Sequence, residues 1–545
     1  MKKIFTLMAA AVMAMTAGAE DYTDQLAITL NGSAPMKSEA TITVNPEEGA
    51  DGTYTIVLNK FSFQGLLIGD VTITGVKGTT TSAAGGYTFF NEVVDQEAAI
   101  TNGDMIATLL GNKVNVSIKP GSWMNADKMH LVINLPVKIA MLGQDFDVVA
   151  VFGDGGYQIP NSDFEAFHTA TFTKESIFGG EPTVYTSDEP NAWHSFMSST
   201  GALASFVSDT PHTFISDDVR PGSEGTKSVM VTSGLVFGSI PANGTITTGQ
   251  MQAGAIDAAS TDNCAFLDFA NEDVDDNGDP FYTVMTGTPD AISMWVKFKQ
   301  GTIKIEEGAN PDDYKYATVS AIITDGTRTQ DPAPADASTD NIVAKAQNAK
   351  IESNGGEWQQ IVVPFDYDTY AGNGAQAKAI LVTVSTNALP GVGSSDAENP
   401  DVLYLDDVEL VYNAGLSKLT WNGTDVELEE GKYEYEIEDL STAEVEPVVE
   451  AVSDGRGAYV ATDVVPTSTG YKATIYVNSN DMKTSNTYTL AVNKTASGIE
   501  NIDAEGADNA VEAIYNVNGQ RVNELQKGIN IVRKADGTTV KVLKK

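Results

Sequence analysis

Thr53-Tyr54-Thr55-Ile56-Val57-Leu58 opens a run of segments written in period two: Val71-Thr-Ile-Thr74, Val114-Asn-Val-Ser-Ile118, Leu131-Val-Ile-Asn-Leu135 and Phe146-Asp-Val-Val-Ala-Val-Phe152. Successive side chains of a strand point to opposite faces, so this alternation reads as short antiparallel strands with one face buried. Gly and Asn punctuate them at Asp51-Gly52, Gly85-Gly86, Asn102-Gly103, Gly111-Asn112 and Pro120-Gly121, a turn about every ten residues. No stretch with a 3.6-residue period interrupts the pattern. Residues 20–157 therefore predict an all-β barrel or sandwich.

The same period continues outward. Apolar strands at 228–236, 291–298, 316–323, 358–364 and 379–386 make 158–413 a second, sheet-on-sheet domain. Lys432-Tyr-Glu-Tyr-Glu-Ile-Glu438, Ala473-Thr-Ile-Tyr-Val477 and Thr487-Tyr-Thr-Leu-Ala-Val492 fit a small sandwich over 414–497. It has the architecture of an immunoglobulin-like spacer without the Cys…Trp…Cys core. A polar acidic linker at 498–508 leads to three further strands that end at Lys545 and complete a C-terminal β domain over 498–545. At the other end, residues 1–19 combine Lys2-Lys3, an apolar run over 4–15 and Ala17-Gly18-Ala19, the pattern of a cleaved secretory signal peptide. No cysteine follows that run to carry a lipid, and no later stretch approaches the roughly 20 apolar residues of a spanning helix. The expected location is outside the cell or on its surface.

The 545 residues carry 33 Lys and Arg against 74 Asp and Glu, a formal charge of −41. A field of that sign repels phosphate and excludes nucleic acid as a partner. The acid is concentrated: 158–413 holds −26 of it, whereas within 513–545 seven Lys or Arg face only Glu524 and Asp536. The single cysteine, Cys264, rules out an intrachain disulfide, and His130, His168, His194 and His212 are too scattered to form HExxH or any local pair of ligands.

Three segments resemble known families of secreted Bacteroidota proteins. The Tyr54-Thr-Ile-Val-Leu-Asn-Lys-Phe-Ser-Phe63 segment, Ile68-Gly69-Asp70-Val71 and Asp127-Lys128-Met129-His130-Leu131 resemble the calycin-like domain, which implies a lipocalin-like barrel. Asn161-Ser-Asp-Phe-Glu165, Glu189-Pro-Asn-Ala-Trp-His-Ser195, Gly287-Thr-Pro-Asp290 before Met294-Trp295, and Leu405-Asp-Asp-Val-Glu-Leu410 resemble the carbohydrate metabolism domain, which implies a jelly roll over 158–413. Tyr515-Asn-Val-Asn-Gly-Gln-Arg-Val522, Lys527-Gly-Ile-Asn-Ile-Val532 and the terminal Lys541-Val-Leu-Lys544 resemble the C-terminal sorting domain of type IX secretion, which implies that machinery as a partner. Lys527 and Asn530 depart from the proline and tyrosine frequent there.

Candidate sites are few. Asp273-Val-Asp275-Asp-Asn277-Gly278-Asp279 matches the first half of a calcium loop, with Val284 where a complete loop has its twelfth-position acid. The jelly-roll resemblance implies a structural calcium between Glu165 and Asp406, where the first and last strands meet. For sugar binding, Trp193 in its turn-rich stretch and Tyr282, beside Phe281, are the aromatics expected to stack on a pyranose, while Trp295 and Trp358 fall in strands and read as core. There is no GxSxG, P-loop or GxGxxG, so no catalytic residue is assigned. The expectation is a cell-surface glycan-binding accessory protein that meets a glycan or another surface protein; the alternatives are a structural or adhesive protein and a glycan-active enzyme in the jelly roll.

Overall fold

Ten strands build the first domain: β1 (Glu20–Leu30), β2 (Met36–Pro46), β3 (Thr53–Phe63), β4 (Leu66–Thr80), β5 (Thr88–Phe90), β6 (Val93–Thr101), β7 (Lys113–Ile118), β8 (Trp123–Met124), β9 (Met129–Ile139) and β10 (Gln144–Phe152). In this computed structural model, which describes residues 19–63, 65–81, 86–139, 144–174, 181–439, 446–494, 511–534 and 538–544, the signal-peptide reading up to residue 18 and the linker reading lie outside the described residues. Eight of the strands close on themselves in the order β1-β2-β3-β4-β6-β7-β9-β10, because β4 pairs with β6 and β10 pairs back with β1. All pairings are antiparallel, and closure removes both free edges.

The period-two pattern explains the barrel interior. Ile42 and Val44, Ile56 and Leu58, Val71 and Ile73, Val116 and Ile118, Leu131 and Ile133, and Val148 and Ala150 are successive inward positions, all in one buried cluster. Each such side chain contributes about 1.5–3 kcal/mol when fully buried, which makes the alternation the main source of stability here. One element departs from the sequence reading, a short helix α1 (Met105–Leu109). It fits because Gly69 and Gly103 lack side chains; a Cβ on Gly103 would collide with the Ile68 carbonyl and with Ala107 inside the helix.

β5 and β8 leave the barrel and bridge the far end of β4 to the start of β9. They carry Phe89 and Trp123 into a second buried cluster with Met251, Leu267, Phe269, Tyr282 and Leu381 of the next domain. Barrel and jelly roll thus share a core within one compact unit, formed by Met1–Gly415 with Ser453–Tyr459 and Val477–Asn486.

The jelly roll stacks two five-stranded antiparallel sheets. One runs Thr213–Ser216, Ser228–Thr232, Val402–Val411, Ala291–Lys299, Gln359–Pro364; the other runs Thr245–Thr247, Ala379–Ser385, Tyr316–Thr324, Ile342–Glu352, with Thr283–Val284 paired to its second strand. Val229, Met294, Val296 and Leu405 of the first meet Ile246, Val319, Val382 and Ala346 of the second in the sandwich core. A three-stranded sheet, Gln250–Ala253, Asn263–Leu267 and Thr329–Asp331, completes a further layer. Alternation places Trp295 opposite the core residues Met294 and Val296, so it is half-buried on the outer face under the Arg220 guanidinium, and Trp358 is likewise half-buried; neither is the core residue expected.

The second unit comprises Leu416–Val452, Val460–Tyr476 and Thr487–Lys545. Its spacer region holds a three-stranded and a four-stranded sheet, the latter with Glu434–Asp439 parallel to Ser485–Lys494. Leu419, Trp421, Ala473, Ile475 and Leu490 are among its buried residues. The C-terminal segment forms a four-stranded sheet, Val511–Asn516, Arg521–Val522, Gly528–Lys534 and Thr539–Lys544, one short strand more than the sequence suggests. Asn530, which departs from the sorting-domain pattern, is fully buried there and ties Gln526 and Gly528 through its side-chain amide.

Candidate functional site

The two aromatics expected to face a sugar are turned inward. Trp193 is fully buried: its N–H closes a turn onto the Pro190 carbonyl with Ala192 at φ 63°, its indole packs 5.2 Å from Phe164, and Nε1 donates to the Pro160 carbonyl at 3.2 Å. Tyr282 is 4% exposed, edge-on to Phe269 at 4.9 Å and to Tyr87 of the barrel at 6.3 Å. The barrel extension covers it. Neither ring offers a free face for stacking, which corrects the expectation for both.

A different place in the jelly roll does. The strand residues that alternate with the sandwich core, Thr245, Thr318, Gln347, Thr383 and Ser385, line the floor of a cleft of about 250 Å³ on the outer side of the second sheet. Its walls are apolar and come from the short helix Ala204–Val207 and the turn between Gly234–Val236 and Ile240–Ala242. Phe206 and Phe237 stand there with ring centroids 5.1 Å apart, 41% and 57% exposed, and Ile256 beside them is 66% exposed. Lys174 sits 5.4 Å from the Phe206 ring and is anchored to Asp209 at 2.6 Å. Hydroxyls and amides below aromatic walls are the groups that can meet a ligand with both C–H faces and hydroxyl groups. The signal in the sequence was faint: Thr245-Ile-Thr247 and Thr383-Val-Ser385 alternate polar with apolar, and Phe237 precedes a turn glycine.

The calcium loop folds as a turn that engages part of its carboxylate oxygens in hydrogen bonds. Asp275 Oδ1 accepts the Asn277 and Asp279 N–H groups at 2.9 and 2.8 Å, Asp279 Oδ2 accepts the Ala192 N–H and the Asn277 side-chain amide, and Asp276 Oδ2 accepts the Thr171 N–H. Asp273, at the head of the loop, is exposed. The buried Asp275 Oδ2 has no hydrogen-bond partner, and two imidazoles face it. This donor set does not fit a hard cation that needs six or more oxygen ligands. Glu165 and Asp406 are also held by different partners. Glu165 accepts the Thr226 and Lys227 N–H groups at 2.7 and 2.8 Å and the Thr226 hydroxyl at 3.0 Å. Asp406 Oδ2 takes the Arg220 N–H at 2.9 Å, and burial pushes its carboxyl up to about 6. The Arg220 guanidinium pairs with Asp407 beside them, and Asp406 Oδ1 is buried without a hydrogen-bond partner.

Histidines thought too scattered to act together meet in the fold. His168 and Glu189 are direct cross-strand partners on the ribbon Phe167–Lys174 and Thr183–Pro190. His194 is fixed by an isolated bridge to Thr247, and the 273–279 turn brings up Asp275. The Nε2 atoms of His168 and His194 both lie 3.4 Å from Asp275 Oδ2, and His168 Nε2 is 3.9 Å from Glu189 Oε2. Burial raises the Glu189 carboxyl, whereas at Asp275 the burial effect is outweighed by the neighbouring His194 and by the Asp279 N–H, which hold it below the usual range. Sequence spacing hides such a group, since 168, 189, 194 and 275 belong to three separate segments.

Residues 19–154 match the family model of the calycin-like β-barrel domain, and the closed eight-stranded barrel occupies that same stretch. No curated protein matches the chain. Two solved structures, each described as a "putative glycoside hydrolase", are similar at low identity. The one from Bacteroides vulgatus is 14% identical with a TM-score of 0.29, over 47% of this chain and 98% of its own; the one from Bacteroides thetaiotaomicron is 13% identical with a TM-score of 0.31, over 68% of this chain and 100% of its own.

Proposed function

We propose that this is an exported, surface-held protein that binds glycan in the jelly-roll cleft, as an accessory to polysaccharide capture. The observation that carries the reading is the pairing of the exposed Phe206 and Phe237 rings with a floor of threonine, serine and glutamine side chains. A pyranose presents an apolar C–H face to such rings while its hydroxyls reach the polar floor. The calycin-like barrel supports the cleft from behind, because Met251 and Ala265 belong both to the cleft lining and to the cluster that Phe89 and Trp123 complete. The leader at 1–19 and the sorting-like tail supply the route to the surface through the type IX machinery.

Affinity gel electrophoresis against a panel of soluble polysaccharides tests it. Retardation in at least one gel is expected, and Phe206→Ala and Phe237→Ala should each weaken it about tenfold, the equivalent of one lost stacking contact. Migration unchanged in every gel returns the molecule to the adhesive reading.

A further inference from the structure

We infer that His168, His194, Glu189 and Asp275 form a binding site for a first-row divalent transition cation, Zn2+ by its donor chemistry. Four buried polar atoms meet there without a hydrogen-bond partner: His168 Nε2, His194 Nε2, Glu189 Oε2 and Asp275 Oδ2. Glu189 and His194 are fully buried, and the Asp275 side chain is 1% exposed. Buried groups of this kind are almost always satisfied, so several orphans facing one another mark a missing partner.

The outer atoms of the same side chains are held, which aims the inner ones. Glu189 Oε1 accepts both the N–H, at 2.8 Å, and the hydroxyl of Ser195; Asp275 Oδ1 is fixed by the two turn N–H groups. His168 Nδ1 lies 3.2 Å from Asn191 Oδ1, which places a proton on that nitrogen, and its Nε2 is the atom turned toward the two carboxylate oxygens. A cation among these nitrogens and oxygens would satisfy all of them at once. Outer partners of this type set the tautomer and orientation of metal-binding histidines.

Spacing agrees with the size of the ion. Ligands about 2.0–2.1 Å from a tetrahedral centre stand roughly 3.3–3.4 Å from each other, and both His–Asp separations are 3.4 Å, with the His–Glu separation 3.9 Å. Among the described residues no three His, Cys, Asp or Glu already surround a ready centre, so loading opens the group by small side-chain rotations. A cleft of about 260 Å³, lined by Glu189, Asp275, Gln250, Ser198 and Phe281, gives a path from solvent. Two imidazoles with two carboxylates suit Zn2+ and its neighbours, not Ca2+.

The test uses the full chain and does not depend on glycan binding. After treatment with chelator and dialysis, Zn2+ should bind with one equivalent per chain and raise the melting temperature, the apparent folding constant growing about 100-fold when free metal is 100 times Kd. Ca2+ should leave the melt unchanged. Co2+ loading should give visible ligand-field bands of a four-coordinate site, a readout on the native chain that stands even where His194→Ala fails to fold. His168→Gln should lose the bands and the shift together. Absence of stoichiometric metal and of bands, or a melt that responds to Ca2+ alone, overturns the inference and leaves an internal histidine–carboxylate cluster.

Discussion

His130, the second residue of β9, shows how the fold decides the chemistry of one side chain. Its Nδ1 lies 3.1 and 3.2 Å from the Phe152 and Gly153 carbonyls, so that nitrogen carries the proton, and Nε2 faces the Tyr157 hydroxyl at 3.4 Å. Burial pushes its pKa down to about 4, against about 6.5 in an unfolded chain. Between those values the unfolded chain binds the additional proton, so the contribution to stability is complete above pH 6.5 and is lost as pH falls toward 4. The whole effect amounts to roughly 3 kcal/mol at most. Urea denaturation at pH 7 and 4.5 should show a smaller acid loss for His130→Gln than for the native chain; equal losses would refute it. Trp193 makes the complementary point about legibility. Its place in a loop was readable from Pro190 and Asn191, but the direction of its ring was not, because that depends on Ala192 at positive φ and on Phe164 arriving from another segment.

At the level of elements, the alternation in 53–58, 114–118, 131–135 and 146–152 was sufficient to expect the barrel strands and their inward faces, since a face buried along its whole length leaves a period of two. β5 and β8 escaped that reading. Three-residue and two-residue strands carry no period, and their purpose lies in Phe89 and Trp123, which meet Phe269, Leu267 and Leu381 some 140 to 290 positions along the chain. The histidine cluster escaped for the same reason: cross-strand pairing of 168 with 189 is a product of register, not of spacing. Trp123 permits a graded test of the shared core. It is 4% exposed and its Nε1 is buried without a partner. Trp123→Ala should cost about 3–5 kcal/mol by leaving a cavity. Trp123→Phe, which keeps most of the ring and removes the orphan N–H, should cost under about 1.5 kcal/mol. Equal costs in equilibrium denaturation would mean that the ring does not fill a packed site.

For the whole molecule, charge and topology divide the labour along the chain. The jelly-roll region carries −26 of the total −41, so that part of the chain repels anions. The last strands reverse that sign: Lys527, Arg533, Lys534, Lys541 and Lys544 lie on or beside a four-stranded sheet whose strands, among the described residues, pair only with each other. Ala513, Asn530, Val532 and Val542 are buried within that sheet. Under the proposed sorting role this sheet is what an export apparatus would recognise, while the cleft draws its packing from the barrel. Removing 511–545 should therefore leave glycan retention in affinity gels unchanged, while cell fractionation of the producing organism should find the truncated protein held in the periplasm. Equal surface amounts with and without the tail would refute the sorting role, and loss of glycan retention would make the tail part of the binding structure.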